Sequence, residues 1–500
     1  DPVVGKRGPD RQIRVLQIRR TTMSIATTAP AVEITFRDVD DTTPVPLPAV
    51  VGADLRVPLV DGRFVGYANL DLAASAAALR AVSDHVSQVL PYYASVHRGA
   101  GYASRVCTAV LEDARATVGR FVGARDNDVV VFTRSTTDSL NLLAGCVPGS
   151  VLTLDIEHHA NLLAWRGGHH RVISAAETIE ATLDALRAAL TAQPTALLAV
   201  TGASNVTGEV LPIARIVAIA HAAGTRVVLD AAQLAPHRRI DIAATGIDYV
   251  ALSGHKLYAP YGTGALVGRR DWLDTAPPHI AGGGAVRAVT HRNDTAHATW
   301  APAPHRHEAG TPNVLGAAAL AAACRTLEPV LDTTAPEHER ALLRRLTHGL
   351  DTIPGVHPLT IWTDAPDRVA VASFTVDGHP AGRVAAYLSA EHGIGVRDGK
   401  FCAHPLLARI AGGADAVRAS CGISTTTDHI DRLLTALHTL VTRGTTWDYA
   451  VIDGRWQPTP DPRDPDPFKL NGRPGETATS WACGESRIRS DATSPRRQRP

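Results

Sequence analysis

Lysine is nearly absent from this sequence. Only Lys6, Lys256, Lys400 and Lys469 occur among 50 basic residues, the rest being arginine. Under that bias a purely structural cation drifts to arginine, so a retained lysine invites a chemical reading. Its amine can attack a carbonyl, whereas a guanidinium stays protonated. A run of about 18 apolar residues is also missing, so no membrane-spanning helix is expected. Neither sign of charge is in excess. Fifty Lys and Arg stand against 49 Asp and Glu, which argues against a dedicated binder of nucleic acid or of a membrane surface. Cys107, Cys146, Cys324, Cys402, Cys421 and Cys483 form no C-x-x-C pair and show no zinc-like histidine spacing. Reduced, mostly buried thiols of a cytoplasmic protein are expected, and no metal site. Internal repeats are not visible.

What is present is enough chain, 500 residues at 45% hydrophobic, for a large buried core. Residues 1–22 are basic and lack the apolar stretch of a secretory signal; Met23, the only methionine, reads as a natural start, a transit peptide being the weaker alternative. From about residue 455 the chain is rich in Pro, Asp, Arg and Ser and is expected to pack loosely. The expected division is an N-terminal extension over 1–60, a large α/β domain over 61–330, a smaller α+β domain over 331–450 and a tail over 451–500.

Between these ends, apolar runs alternate with helical patterns. VVVFT, VLTLD, RVISA, TALLAVT, RVVLD and YVAL read as buried strands, with helices between several of them, the signature of a mostly parallel sheet. The helix RVCTAVLEDARATVGRF is expected to face the core through Val106, Val110, Ala114 and Val118. In open α/β sheets ligands sit at the carboxyl ends of strands, and several chemical residues fall there. The stretch Ile247–Arg269 delivers Ser253, His255 and Lys256 at one strand end. Thr136 and Thr137 begin a helix after another, with Asp138 and Ser139 as expected caps, and the free N–H groups of such a terminus suit an anion. His158 and His159 follow a third strand; Asn205 follows a fourth. Asp230 closes an apolar strand, so its carboxylate needs a buried cationic partner, an arginine being the plain structural choice. Gln233 stands three residues beyond.

SGHK followed by GTGAL resembles the cofactor lysine segment of class V, fold type I pyridoxal-phosphate enzymes, most closely the SUF-type (group II) cysteine desulfurases and selenocysteine lyases. The likeness spans roughly residues 65–440, with its motifs in family order. It implies a large, seven-stranded-type, mostly parallel sheet domain followed by a smaller α+β domain. It also implies pyridoxal phosphate on Lys256, with Asp230 securing the pyridine nitrogen, Gln233 near the ring oxygen, and Asn205 at the ring hydroxyl or substrate carboxylate. His158 in EHHANLLAW then covers the ring, with His159 supporting. Thr136, Thr137, Ser253 and His255 complete the cofactor set. Thr311 in EAGTP reaches the phosphate of a partner subunit, and YYASVHRG lines the active site across a homodimer with composite sites.

GIGVRDGKFCAHPLL resembles the desulfurase segment that carries the sulfur-accepting cysteine. The resemblance puts Cys402 on that nucleophile and Arg397 and Arg418 on the α-carboxylate of a small amino-acid substrate. Relatives have histidine beside this cysteine, whereas Lys400 and Phe401 stand here, and Lys400 is a candidate for holding Cys402 ionised. The implied reaction converts L-cysteine to L-alanine with sulfur left on Cys402 as a persulfide, for transfer to a sulfur-acceptor protein. The alternatives are a class V aminotransferase, a C–S lyase that does not need Cys402, and, remotely, a non-catalytic scaffold.

Overall fold

Four strands of nearly pure aliphatic character, Tyr249–Ser253, Arg226–Asp230, Leu197–Thr201 and Val151–Leu154, are buried on both faces and align side by side because their βα connections return the chain in one direction. The computed structural model describes residues 45–469 except 167, 168 and 366. The basic N-terminal stretch, Met23, the distal tail and Cys483 lie outside the described residues. The large sheet has seven strands in the order Asp128–Thr133, Gly264–Arg269, Tyr249–Ser253, Arg226–Asp230, Leu197–Thr201, Val151–Leu154, His170–Ile173. Only Gly264–Arg269 runs antiparallel to its neighbours; the other contacts are parallel. The carboxyl ends of Asp128–Thr133, Val151–Leu154, Leu197–Thr201, Arg226–Asp230 and Tyr249–Ser253 therefore share one edge. The sequence-predicted sheet class is the one observed.

Gly264 opens the antiparallel strand for a steric reason. A Cβ there would collide with the Leu252 carbonyl and come within 2.8 Å of the Ser135 backbone. The loop that starts the Thr136–Ala144 helix thus lies directly on the sheet. That helix is capped by Ser135, whose side chain accepts from the Asp138 N–H, and not by Asp138 or Ser139. The Asp138 carboxylate is occupied by Arg134 and His279, and the Ser139 hydroxyl meets Thr133 at 2.8 Å.

The Tyr102–Phe121 helix buries Cys107, Leu111, Ala114 and Val118, whereas Val106 and Val110 are only half-buried. A strict spacing of four overshoots the helical repeat of about 3.6 residues, so an i+4 row drifts off the core face, while the i, i+4, i+7, i+11 stripe stays on it. Leu111 and Ala114 pack on Ala317 and Ala321 of the Val314–Leu331 helix. This is the one helix among the described residues long and apolar enough to cross a membrane. Here it is a core helix, interrupted by Arg325 and Glu328.

A second core lies under a four-stranded antiparallel sheet, order Val356–Pro358, Val371–Val376, Ala416–Ser420, Arg397–Gly399, covered by the helices Thr334–Asp351, Ala381–His392 and Thr427–Arg443. Residues from far upstream join it. Ala68–Asn69 pairs in parallel with Ile394–Gly395, and Ala68 and Leu70 are fully buried in this core. The smaller lobe is thus built from both ends of the chain, because the apolar Ala68 and Leu70 find their burial there rather than under the large sheet.

The stretch expected to pack loosely from about residue 455 begins instead with an antiparallel hairpin, Tyr449–Ile452 with Arg455–Pro458. Its aromatic residues explain the order. Tyr449 Oη donates to Glu391 at 2.9 Å, and the Trp456 ring lies under the Arg383 guanidinium at 6.0 Å and close to Gly382. Trp456→Ala is expected to lower stability by ~1–2 kcal/mol through lost apolar contact, read as a lower urea midpoint with unchanged slope.

Candidate functional site

The carboxyl edge of the large sheet faces a cavity of ≈ 240 Å³ lined by Ser135, Thr136, Thr137, His158, Asn205, Asp230, Gln233, Ser253, His255, Lys256, Arg397, Phe401, Cys402 and Arg418, among others. Residues singled out from positions 136 to 418 are therefore brought to one place. Thr311 is not among them. It lines a second cavity of ≈ 640 Å³ together with Ser95, Val96, His97 and Arg98, so the two segments implied to serve a partner subunit sit together, away from Lys256.

Lys256 follows the Tyr249–Ser253 strand by one turn, its N–H on the Ser253 carbonyl. Burial lowers its ammonium pKa to about 8, against the opposing pull of Asp230 and Cys402, while Arg418 and Arg397 push it the same way as burial. Near-neutral pH therefore leaves a usable fraction of free amine. Asp230 is 4% exposed and accepts from the Ala232 N–H at 3.0 Å. Burial raises its pKa, with Lys256 opposing. Among the described residues it forms no ion pair, so the arginine bridge weighed as an alternative is not formed. A buried carboxylate facing a cavity without a fixed counter-ion suits a cationic ring nitrogen.

His158 caps the short His159–Leu163 helix, its Nδ1 accepting from the Ala160 N–H at 3.0 Å. Burial first, then Lys256, His159, Arg418 and Arg397, hold its pKa at about 3. The ring is therefore neutral at physiological pH, with its proton on Nε2. Ser253 Oγ donates to Thr136 Oγ1 and accepts from the Thr136 N–H, both at 2.8 Å, which locks the strand end of the lysine segment to the helix N-terminus. Gln233 is turned to the Ala73 carbonyl at 2.7 Å, and the His255 carbonyl takes the Ala76 N–H.

The smaller lobe supplies the other wall. In the antiparallel register Arg397 lies directly opposite Arg418. Directly opposed residues project from the same face of a sheet, and like charges there repel. Arg418 is 3% exposed, donates to the Asn205 carbonyl at 2.9 Å and to Asp71 at 3.0 Å, and keeps its Nε buried without a partner. Two facing guanidiniums, one with an unspent donor, suit an anion between them. Asp71 was not legible as a site residue, since its partner lies 347 positions away and nothing local marks it.

Cys402 is half-buried, while Cys107, Cys146, Cys324 and Cys421 are buried and free. Burial pushes the Cys146 and Cys421 thiols up to about 12. Lys256 and Arg418 both sense Cys402, so its surroundings hold cations besides the Lys400 singled out from sequence. Phe401 lies under the Arg418 guanidinium at 5.1 Å, and its carbonyl takes the Asn205 side-chain N–H at 2.7 Å. Asn205 thus also tethers the cysteine segment, a role its position after a strand did not suggest.

Residues 68–433 match the family model described as aminotransferase class V. A cysteine desulfurase of Dickeya dadantii is 37% identical over 394 residues, covering 76% of this chain and 92% of that protein. One of Klebsiella pneumoniae is 36% identical over 392 residues, covering 76% and 94%. Among solved structures, the apo cysteine desulfurase of Thermococcus onnurineus superposes with a TM-score of 0.68 at 31% identity. The S-sulfonic acid form of a cysteine desulfurase of Escherichia coli gives 0.66 at 32%; each of the two spans 75% of this chain and 94% of its own. The Tyr449–Pro458 hairpin falls outside the span of the family model, residues 68–433.

Proposed function

The chain belongs to the class V aminotransferase family, and from that premise we propose that it is a pyridoxal-phosphate enzyme that takes sulfur from L-cysteine, leaving L-alanine. The observation that carries the reading is the meeting of Lys256, Asp230 and the facing Arg397–Arg418 pair with a partly exposed cysteine around one cavity. Relatives at 36–37% identity bear the name cysteine desulfurase. Pyridoxal phosphate, when bound, supplies an aldehyde for a lysine amine and a ring that accepts electrons from the substrate Cα.

In this reading Lys256 would hold the cofactor and would move the proton at the substrate Cα. Asp230 keeps the ring nitrogen protonated. Neutral His158 covers the ring without adding charge, and the N-terminus of the Thr136–Ala144 helix with Ser253 takes the phosphate. Arg397 and Arg418 orient the substrate by its carboxylate so that its sulfur meets Cys402. The Cys402 thiolate attacks that sulfur; the S–S bond forms as the C–S bond breaks, and the electron pair goes to the carbon, which takes up a proton to become the alanine methyl. The second cavity, with Thr311 and His97, supports a homodimer in which each chain completes its partner's phosphate site.

Incubation with L-cysteine and a thiol reductant tests the proposal. Alanine and sulfide in equal amounts are expected; pyruvate and ammonia in place of alanine would overturn it in favour of a lyase. Arg397 is exposed, so its removal leaves the core untouched. Arg397→Ala is expected to raise KM for cysteine about 10- to 100-fold, the worth of one charge-assisted hydrogen bond of ~1.5–3 kcal/mol, with the cofactor absorbance unchanged.

A further inference from the structure

Phe401 and Cys402 are consecutive non-glycine residues with φ of 50° and 53°. That left-handed conformation is disfavoured for side chains with a Cβ, and it persists only where surrounding contacts impose it. Three backbone contacts do so. Asn205 Nδ2 donates to the Phe401 carbonyl at 2.7 Å, the His159 N–H donates to the Cys402 carbonyl at 2.8 Å, and the Ala403 N–H donates to the Lys400 carbonyl at 2.9 Å. A fourth contact lies just beyond. His404 Nδ1 and His159 Nε2 are 2.9 Å apart, and the two rings stack at 4.6 Å with 12° between their planes. The His404 backbone N–H also points at His159 Nε2, at 3.5 Å.

Donors thus converge on His159 Nε2 from two directions, so that atom is the acceptor and His404 carries its proton on Nδ1. His159 grips the cysteine segment twice, by its backbone N–H on the Cys402 carbonyl and by its ring on His404. We propose that His404 is a positioning residue for sulfur transfer: its bond to His159 holds Cys402 in the left-handed turn that presents the thiol to the Lys256 cavity. The inference rests on the reading of Cys402 as the sulfur acceptor.

The clasp has a defined protonation requirement. A proton on His159 Nε2 sets two N–H groups against each other. Burial, and then His404, hold the His159 pKa below the ordinary histidine value, so the clasp is whole above about pH 6.5 and weakens as the pH falls below that. The groups around it are His158 on the same helix, Lys400 and Cys402 on the nucleophile segment, Arg409 with its partner Asp155, and Lys256, Arg397 and Arg418 across the cavity.

The test uses the full chain with its cofactor and reads amide hydrogen exchange of residues 400–410 by mass spectrometry, corrected for intrinsic rates, at pH 8 and pH 5.5. Wild type should be protected at pH 8 and exchange faster at pH 5.5. His404→Ala should exchange fast at both. His404→Asn should be protected at both, because its amide replaces Nδ1–H and can turn to accept when His159 is protonated. In turnover, His404→Ala should lose about 10-fold or more in kcat with KM for cysteine within about 2-fold, and His404→Asn should restore it. Identical exchange in wild type and His404→Ala, or an unchanged kcat, overturns the proposal. If His404→Ala does not fold, wild type and His404→Asn at the two pH values decide it, since equal pH responses of the two sink the clasp. The exchange pattern stands apart from the sulfur chemistry: turnover surviving Cys402→Ala would refute the acceptor reading while leaving the exchange result to judge His404.

Discussion

Replacing Cys402 by alanine is expected to lower alanine formation from L-cysteine on the order of 10³-fold, as loss of a covalent nucleophile does elsewhere, while the cofactor absorbance stays. The expectation follows from what else could take the sulfur. A thiolate is required, and among the described residues the other thiols, Cys107, Cys146, Cys324 and Cys421, are buried; Cys146 and Cys421 have pKa values near 12. Cys402 is partly exposed, lines the Lys256 cavity and lies within the electrostatic reach of Lys256 and Arg418. The assay is alanine by chromatography and sulfide by colour formation, wild type and variant side by side, with a mass shift of one sulfur on the Cys402 peptide as the direct signature. Sulfide release that survives the substitution would mean elimination without a persulfide, with Cys402 reduced to packing.

Lys256→Arg should be as severe for a different reason. It keeps the charge and discards the nucleophile, so borohydride treatment of the protein with pyridoxal phosphate should yield no stable adduct at position 256, and turnover should fall about 10²–10⁴-fold with loss of the proton-transferring amine. Among the described residues wild type should give one labelled peptide, since Lys400 and Lys469 are the other described lysines and neither lies among the residues around the cavity. The pH dependence has a fixed sign. Burial has moved the Lys256 pKa down to about 8, so cofactor uptake by the apo protein should climb as the pH rises through about 8 and level off above it, well below the pH of about 10.4 where an ordinary lysine would respond. Label spread over several lysines, or uptake still climbing at pH 10, would remove Lys256 from the role.

Local order was legible wherever burial and periodicity coincide. The strands ending at Asp230 and Ser253 were visible because a strand covered on both faces must be apolar throughout, and the lysine bias singled out Lys256 without any fold. Charge pairing across the chain was not legible. Asp71 meets Arg418, His404 meets His159 and Glu308 meets Arg115 across separations of 347, 245 and 193 residues, and no local pattern marks the pairing. The Arg397–Arg418 apposition depends on strand register, which single-sequence patterning leaves open. The Tyr449–Pro458 hairpin was hidden by composition, since the Pro and Asp that follow it suggest disorder while Trp447, Tyr449 and Trp456 supply the packing.

The pairing of Ala68–Asn69 with Ile394–Gly395 sets a timetable for biosynthesis. The upstream strand leaves the ribosome more than 300 residues before its partner, a wait on the order of 15–65 s at about 5–20 residues per second. During that interval Ala68 and Leu70, fully buried in the finished protein, have no cover, and their backbone presents an open edge. The large sheet can close meanwhile, since all its strands are made by Arg269. Arg397, Cys402 and Arg418 come last, so the nascent chain passes through a stage with the lysine wall built and the substrate wall missing. Chaperone demand should concentrate on that stage, and slowing translation downstream of residue 270 should lengthen it.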